Sequence, residues 1–120
     1  EKLRWYSDND EYVPYFPKEF ELAKYDILEK IAAHGEYVVL EMQCFQQECS
    51  YPFCIRAHYS MLQGHPKQKR LMPAKTSGEA RRLYALSIQD LKKTGFELRK
   101  DFPYQAEYLV SEKLQEMLIA

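Results

Sequence analysis

The stretch Glu36–Leu62, EYVVLEMQCFQQECSYPFCIRAHYSML, contains two alternating segments and decides how the chain folds. Val38, Leu40, Met42 and Cys44 share one side of the first segment; Phe53, Ile55, Ala57, Tyr59 and Met61 share one side of the second. Alternation of this kind reads as two half-buried strands, 36–45 and 53–62, joined by a loop over 45–52. If both apolar sides meet one core, residue numbers paired across the hairpin add to an odd value. A sum of 97 also sets Glu41 opposite Arg56, a favourable cross-strand pair on what would be the wet face.

That register bears on the cysteines. Cys44, Cys49 and Cys54 are equally spaced and His58 follows. Cys44 is expected on the core face, Cys54 on the opposite, solvent face, and Cys49 in the loop. His58 lies four residues beyond Cys54, about 13 Å along an extended strand, too far to share an ion whose ligands sit at about 2.0–2.3 Å. Paired CxxC knuckles are missing from the sequence, so neither a metal nor a cofactor is expected. An odd cysteine count fits a reducing compartment, cytoplasmic or nuclear, better than a disulfide scaffold, with a Cys49–Cys54 bridge as the alternative.

The chain has 120 residues and is 46% hydrophobic, enough for one packed domain. No apolar run approaches the ~18 residues of a membrane span, and no signal peptide is visible. It opens at Glu1 rather than Met, which leaves a removed leader open. Net charge is −1 but unevenly spread: −6 over residues 1–50, +8 over 51–100 and −3 over 101–120.

Outward from the hairpin, residues 1–16 read as an acidic and aromatic arm, with SDND as a turn. Residues 17–34 read as a helix, because Phe20, Ala23, Ile27, Leu28 and Ile31 recur at three- and four-residue steps between Pro17 and Gly35. A short third strand is expected near Lys69–Met72. A second helix over 76–94 opens on TSGE, with Thr76 as cap, and ends at Gly95. FELRK (96–100) suits a short strand, and 104–119 reads as a third helix. The expected fold is α+β: residues 17–120 as one domain, with three helices on one face of a small antiparallel sheet.

Function is less legible. No GxSxG, P-loop, HExxH or GxGxxG occurs. His58 and His65 read as a surface and a loop histidine, and nothing near Cys49 predicts a lowered thiol pKa. No catalytic residue is assigned, and a non-catalytic binding or regulatory module is expected, with a homo-oligomer compatible. Two binding readings compete. In the first, Trp5, Tyr6, Tyr12 and Tyr15 of the arm dock on a protein partner, since exposed Trp and Tyr are favoured interface anchors. In the second, Lys67, Lys69, Arg70, Lys75, Arg81 and Arg82 hold a nucleic-acid backbone, three of them around a helix start whose free N–H groups already favour an anion. Near-neutral total charge tilts the expectation toward a protein partner.

From Pro17 to Thr94 the order helix, hairpin, third strand, basic-capped helix resembles the double-stranded-RNA-binding domain. The resemblance implies phosphate contacts from Lys75, Arg81 and Arg82. It departs from that family where KTSGEARR stands in place of a lysine pair, and EARRLYALSIQDL only partly echoes the family's alanine-rich helix.

Overall fold

The computed structural model describes residues 2–33 and 36–99. Five antiparallel strands form one sheet: β1 Glu21–Lys30, β2 Tyr37–Cys44, β3 Phe53–Leu62, β4 His65–Ala74 and β5 Phe96–Arg99. Their spatial order is β4-β3-β2-β1-β5. One helix, α1 (Ser77–Lys93), lies between β4 and β5 in sequence.

The central hairpin has the register that its alternation predicts. Val38 faces Tyr59, Glu41 faces Arg56 and Cys44 faces Phe53. The expected third strand is present and longer, ten residues joined to β3 by a two-residue turn at Gln63 and Gly64. Both turn residues have positive φ, 52° and 81°, as a tight hairpin with the right twist requires. Helix α1 matches its expected limits. Thr76 accepts a hydrogen bond from the Glu79 amide, and Gly95, at φ 98°, takes the left-handed position beyond the last turn.

The helix expected over 17–34 does not form; β1 occupies its middle. The pairing of β1 with β2 shifts by one residue between Leu22 and Lys24. An inserted residue at such a bulge breaks strict alternation. Further along, Ile27 and Leu28 are both buried although they point to opposite faces. Where both sides are covered, as at Ile27 and Leu28, polar alternation is not required, and together with the bulge this gives the apolar positions a helix-like spacing. The architecture of three helices on a small sheet is therefore replaced by a five-stranded sheet bearing one helix among the described residues. The third expected helix, 104–119, lies outside them. Without a first helix, the element order no longer follows the double-stranded-RNA-binding pattern.

Among the described residues, a core cluster lies on each face of the sheet. On the helix side, Leu28, Val38, Leu40, Ile55, Ala57 and Met72 pack with Ala80, Tyr84 and Leu91 of α1. The Tyr84 hydroxyl donates to Asp26 Oδ2 at 2.6 Å and stands 3.3 Å from the Leu40 carbonyl, which locks the helix over the sheet centre. Burial, reinforced by Asp26, pushes the Tyr84 pKa far up, so it remains a donor.

The other face was expected to be wet and is not. Phe45, Cys54 and Leu71 are buried there, with Tyr6, Val13, Phe16 and Phe20 of the N-terminal segment packed over them. Phe16 stacks on Phe45 at 5.2 Å and Phe20 meets it edge-on at 6.0 Å. Tyr6 pairs with Leu71 through two backbone bonds of 2.9 and 2.8 Å, closing part of the outer edge of β4. Arg56 reaches Asp8 at 2.7 Å and pins the segment. Cys54, expected at the surface, is fully buried, and its thiol is pushed up to about 12 by desolvation above all.

Two outcomes test the dry second face. Leu71→Ala should cost about 2–5 kcal/mol in denaturant unfolding, as a core leucine does, and not the few tenths typical of a surface site. Cys54 should resist alkylation at neutral pH until the chain is unfolded, while the half-buried Cys49 reacts first. Because folding raises the Cys54 pKa, its contribution to stability is complete below the ordinary thiol value of 9.0 and is lost as pH climbs toward 12. Melting temperature should therefore fall through that alkaline range, and less steeply in Cys54→Ala.

Candidate nucleic-acid interface

The sequence singled out six cations, and the fold divides them between two places. Lys67, Lys69 and Arg70 lie on β4 near its turn end; Lys75 precedes α1; Arg81 and Arg82 are on its first turns. On β4, strand alternation sends Lys69, opposite His58, to the face under the N-terminal segment, and Arg70, opposite Ala57, to the helix face. These three do not form one patch. Lys75 lies with its ammonium 5.5 Å from the Tyr51 ring centre, a cation–π contact beside the helix cap.

The helix carries the coherent arrangement. Ala80, Tyr84, Ser87 and Leu91 are buried, one stripe at the helical period. The exposed positions of α1 are Ser77, Gly78, Arg81, Arg82, Ala85, Gln89, Lys92 and Lys93. Four of these eight are cations and none is acidic. The two acids of the helix, Glu79 and Asp90, are half-buried on its flank. Arg81/Arg82 and Lys92/Lys93 are eleven residues apart, about 16 Å along the axis. Lys92 and Lys93 also complement the carbonyl end of the helix. Beside this face, Lys24 and Arg81 line a cleft of about 470 Å³ together with Asp26, Tyr84 and Leu98, and the Lys24 ammonium stands 5.0 Å from the Tyr84 ring centre.

The structure adds Lys24, Lys92 and Lys93 to the candidate set. Lys92 and Lys93 belong to the basic stretch, and helical phase groups them with Arg81 and Arg82. Lys24 was out of reach because it depends on β1 being a strand.

The aromatic arm is partly used up by the fold. Trp5 packs against the helix-side core and Tyr6 against the opposite one, with the Arg4 guanidinium 5.0 Å from the Tyr6 ring centre. Tyr12 and Tyr15 project outward, 74% and 73% exposed, around a turn in which Asp10 accepts the Tyr12 amide at 3.0 Å.

His58, expected at the surface, is 2% exposed, and Glu41, its neighbour on the supposedly wet face, is 0% exposed. His58 Nε2 lies 2.8 Å from Glu41 Oε1, and Gln43 Nε2 donates to the same oxygen at 3.0 Å. His65 is exposed at the start of β4. Among the described residues, no three His, Cys, Asp or Glu are grouped to hold a metal ion, and no helix is long and apolar enough to cross a membrane.

The chain resembles known proteins over most of its length. Residues 15–120 match the family model described as the PARP4 WGR-like domain. The human protein mono-ADP-ribosyltransferase PARP4 is 38% identical over 109 residues, and the mouse protein of the same name 39% identical over 107; each alignment covers 89% of this chain. The chain spans only 6% and 5% of those relatives. No solved structure matches. This chain, whose described residues form a sheet crossed by a helix with a basic outer side, thus belongs to the PARP4 WGR-like domain family.

Proposed function

We propose that this chain is a non-catalytic module that binds nucleic acid by its phosphate backbone along the exposed face of α1. The observation that carries the reading is the composition of that face, with Arg81, Arg82, Lys92 and Lys93 and no acid among its exposed residues. Cations in a row on a rigid element can replace condensed counterions, whose release supplies most of the backbone affinity. The side chains sit on a helix locked to the sheet by Tyr84, so little order has to be created on binding. Two of the three thiols fit the non-catalytic part of this reading. Cys54 and Cys44 are both shifted up, chiefly by burial, the reverse of an activated nucleophile.

A second reading, docking on a protein partner, is favoured by one observation. Tyr12 and Tyr15 expose most of their surface at a turn anchored by Asp10. Trp5 and Tyr6, which pack onto the cores, support it less.

The deciding experiment is fluorescence anisotropy of labelled duplex RNA, duplex DNA and single strands at ~50 and ~200 mM salt. Affinity should fall steeply between the two. Arg81→Ala/Lys92→Ala should weaken binding several-fold at the lower salt and flatten the log–log salt slope by roughly 2, for two lost phosphate contacts. Lys67→Ala/Lys69→Ala should change binding much less. Binding that ignores salt, or that survives the α1 pair unchanged, refutes the reading. Tyr12→Ser/Tyr15→Ser should leave nucleic-acid affinity intact, and a loss there would move the site to the turn.

A further inference from the structure

A second cleft opens on the helix side of the sheet, between the last turns of α1, the β3–β4 turn and the start of β2. Its volume is about 350 Å³, within the usual range for ligand sites. Trp5, Tyr59 and Phe96 supply aromatic surface, and Asp90, Ser87 and Thr94 supply polar atoms. We infer that this cleft is a binding site for a basic side chain of a partner polypeptide, arginine in preference to lysine.

At the helix end of the cleft, Asp90, Ser87 and Thr94 present acceptors. Ser87 donates its hydroxyl proton to the Leu83 carbonyl at 2.7 Å, and Thr94 donates to the Leu91 carbonyl at 2.9 Å. Each hydroxyl is left with lone pairs to offer. Asp90 adds a half-buried carboxylate, for which no ion pair or side-chain hydrogen bond occurs among the described residues. The carbonyl end of α1, with its partial negative charge, closes one side. Lys92 and Lys93, near that end, lie on the exposed face and do not line the cleft. Arg70 of β4 and Asp90 both act on the Tyr59 hydroxyl, in opposite senses, but of the two only Asp90 lines the cleft.

One cation already uses this wall. Lys30 lies 5.8 Å from the Phe96 ring centre and pairs with Glu36 at 3.7 Å. That pair is neutral together, so Asp90 is the unbalanced charge of the lining. An incoming group must therefore be positive, rich in donors and flat or slender enough to lie on an aromatic face. A guanidinium has five N–H donors and stacks on rings, whereas an ammonium has three and is more strongly hydrated. The site uses different residues from the basic face of α1 and the opposite charge, so it stands independently of the nucleic-acid reading.

Trp5 is the only tryptophan of the chain and lines the cleft, which makes it a built-in reporter. The chain would be titrated with acetyl-Gly-Arg-Gly-amide, its lysine counterpart and its citrulline counterpart, with calorimetry in parallel. The expected result is saturable perturbation of Trp5 fluorescence by the arginine peptide, a weaker response to lysine and none to citrulline, which keeps the shape without the charge. Asp90→Asn should weaken the arginine peptide about tenfold, the loss of one close charge pair. Trp5→Leu, which retains an apolar contact with the core, should weaken it in calorimetry. Arg81→Ala/Lys92→Ala should leave peptide binding unchanged while lowering nucleic-acid affinity, which separates the two sites. An equal response to citrulline, an Asp90→Asn protein that binds as well as the parent, or no saturable response to arginine overturns the proposal. The citrulline comparison needs no variant, so it decides the matter even where a substitution impairs folding.

Discussion

Near the centre of the sheet a carboxylate has been taken wholly out of water. Glu41 is 0% exposed, with His58 Nε2 at 2.8 Å and Gln43 Nε2 at 3.0 Å on one of its oxygens. Burying such a group is tolerable only with close polar partners, and removing one of them leaves the rest uncompensated. Those partners come from β2 and β3, so the pair is satisfied only when the hairpin holds its register. A slip of one residue would move Glu41 into the helix-side core and carry Leu40 the other way. His58 Nδ1 is buried and has no hydrogen-bond partner among the described residues, a polar cost that packing on both faces offsets.

Dryness on this face depends on residues far away in sequence. Tyr6 continues the sheet at Leu71, Asp8 neutralises Arg56, and Phe16 and Phe20 close over Phe45. The N-terminal segment thus serves as a second covering layer, opposite α1. Because it is part of the core, removing it would test stability before it tested any partner. That division of labour also explains how exposed charge is arranged. With the segment over one face of the sheet and α1 over the other, the outer side of α1 is left to solvent, and Arg81, Arg82, Lys92 and Lys93 lie there. Of the two acids on its flank, Asp90 lines a cleft.

The misreading of β1 has an identifiable cause. Phe20, Ala23, Ile27, Leu28 and Ile31 do follow a helical spacing, yet the bulge between Leu22 and Lys24 and burial on both faces generate the same spacing in a strand. Ile31 shows the difference: a helix would have turned it inward, but it lies beyond the strand and is 63% exposed. The same one-sided view of the sheet placed Cys54 and His58 at the surface. Alternation says which residues differ in environment, not that the second environment is water.

What the sequence by itself determined is what short-range physics controls. The hairpin register follows from period-two alternation, and α1 follows from its cap at Thr76, its apolar stripe and the left-handed Gly95. The basic middle of the chain was legible as composition, including Arg81 and Arg82 of the candidate interface. Only the tertiary structure decided which cations share the outer side of α1, that Lys24 and Arg81 line one cleft, that Trp5 and Asp90 line another, and that Glu41 and His58 are buried together. The physical reason is range. Strand register and helix caps are set by neighbours a few residues apart, whereas burial on the second face depends on contacts such as Asp8 with Arg56, 48 residues apart, which no local pattern encodes.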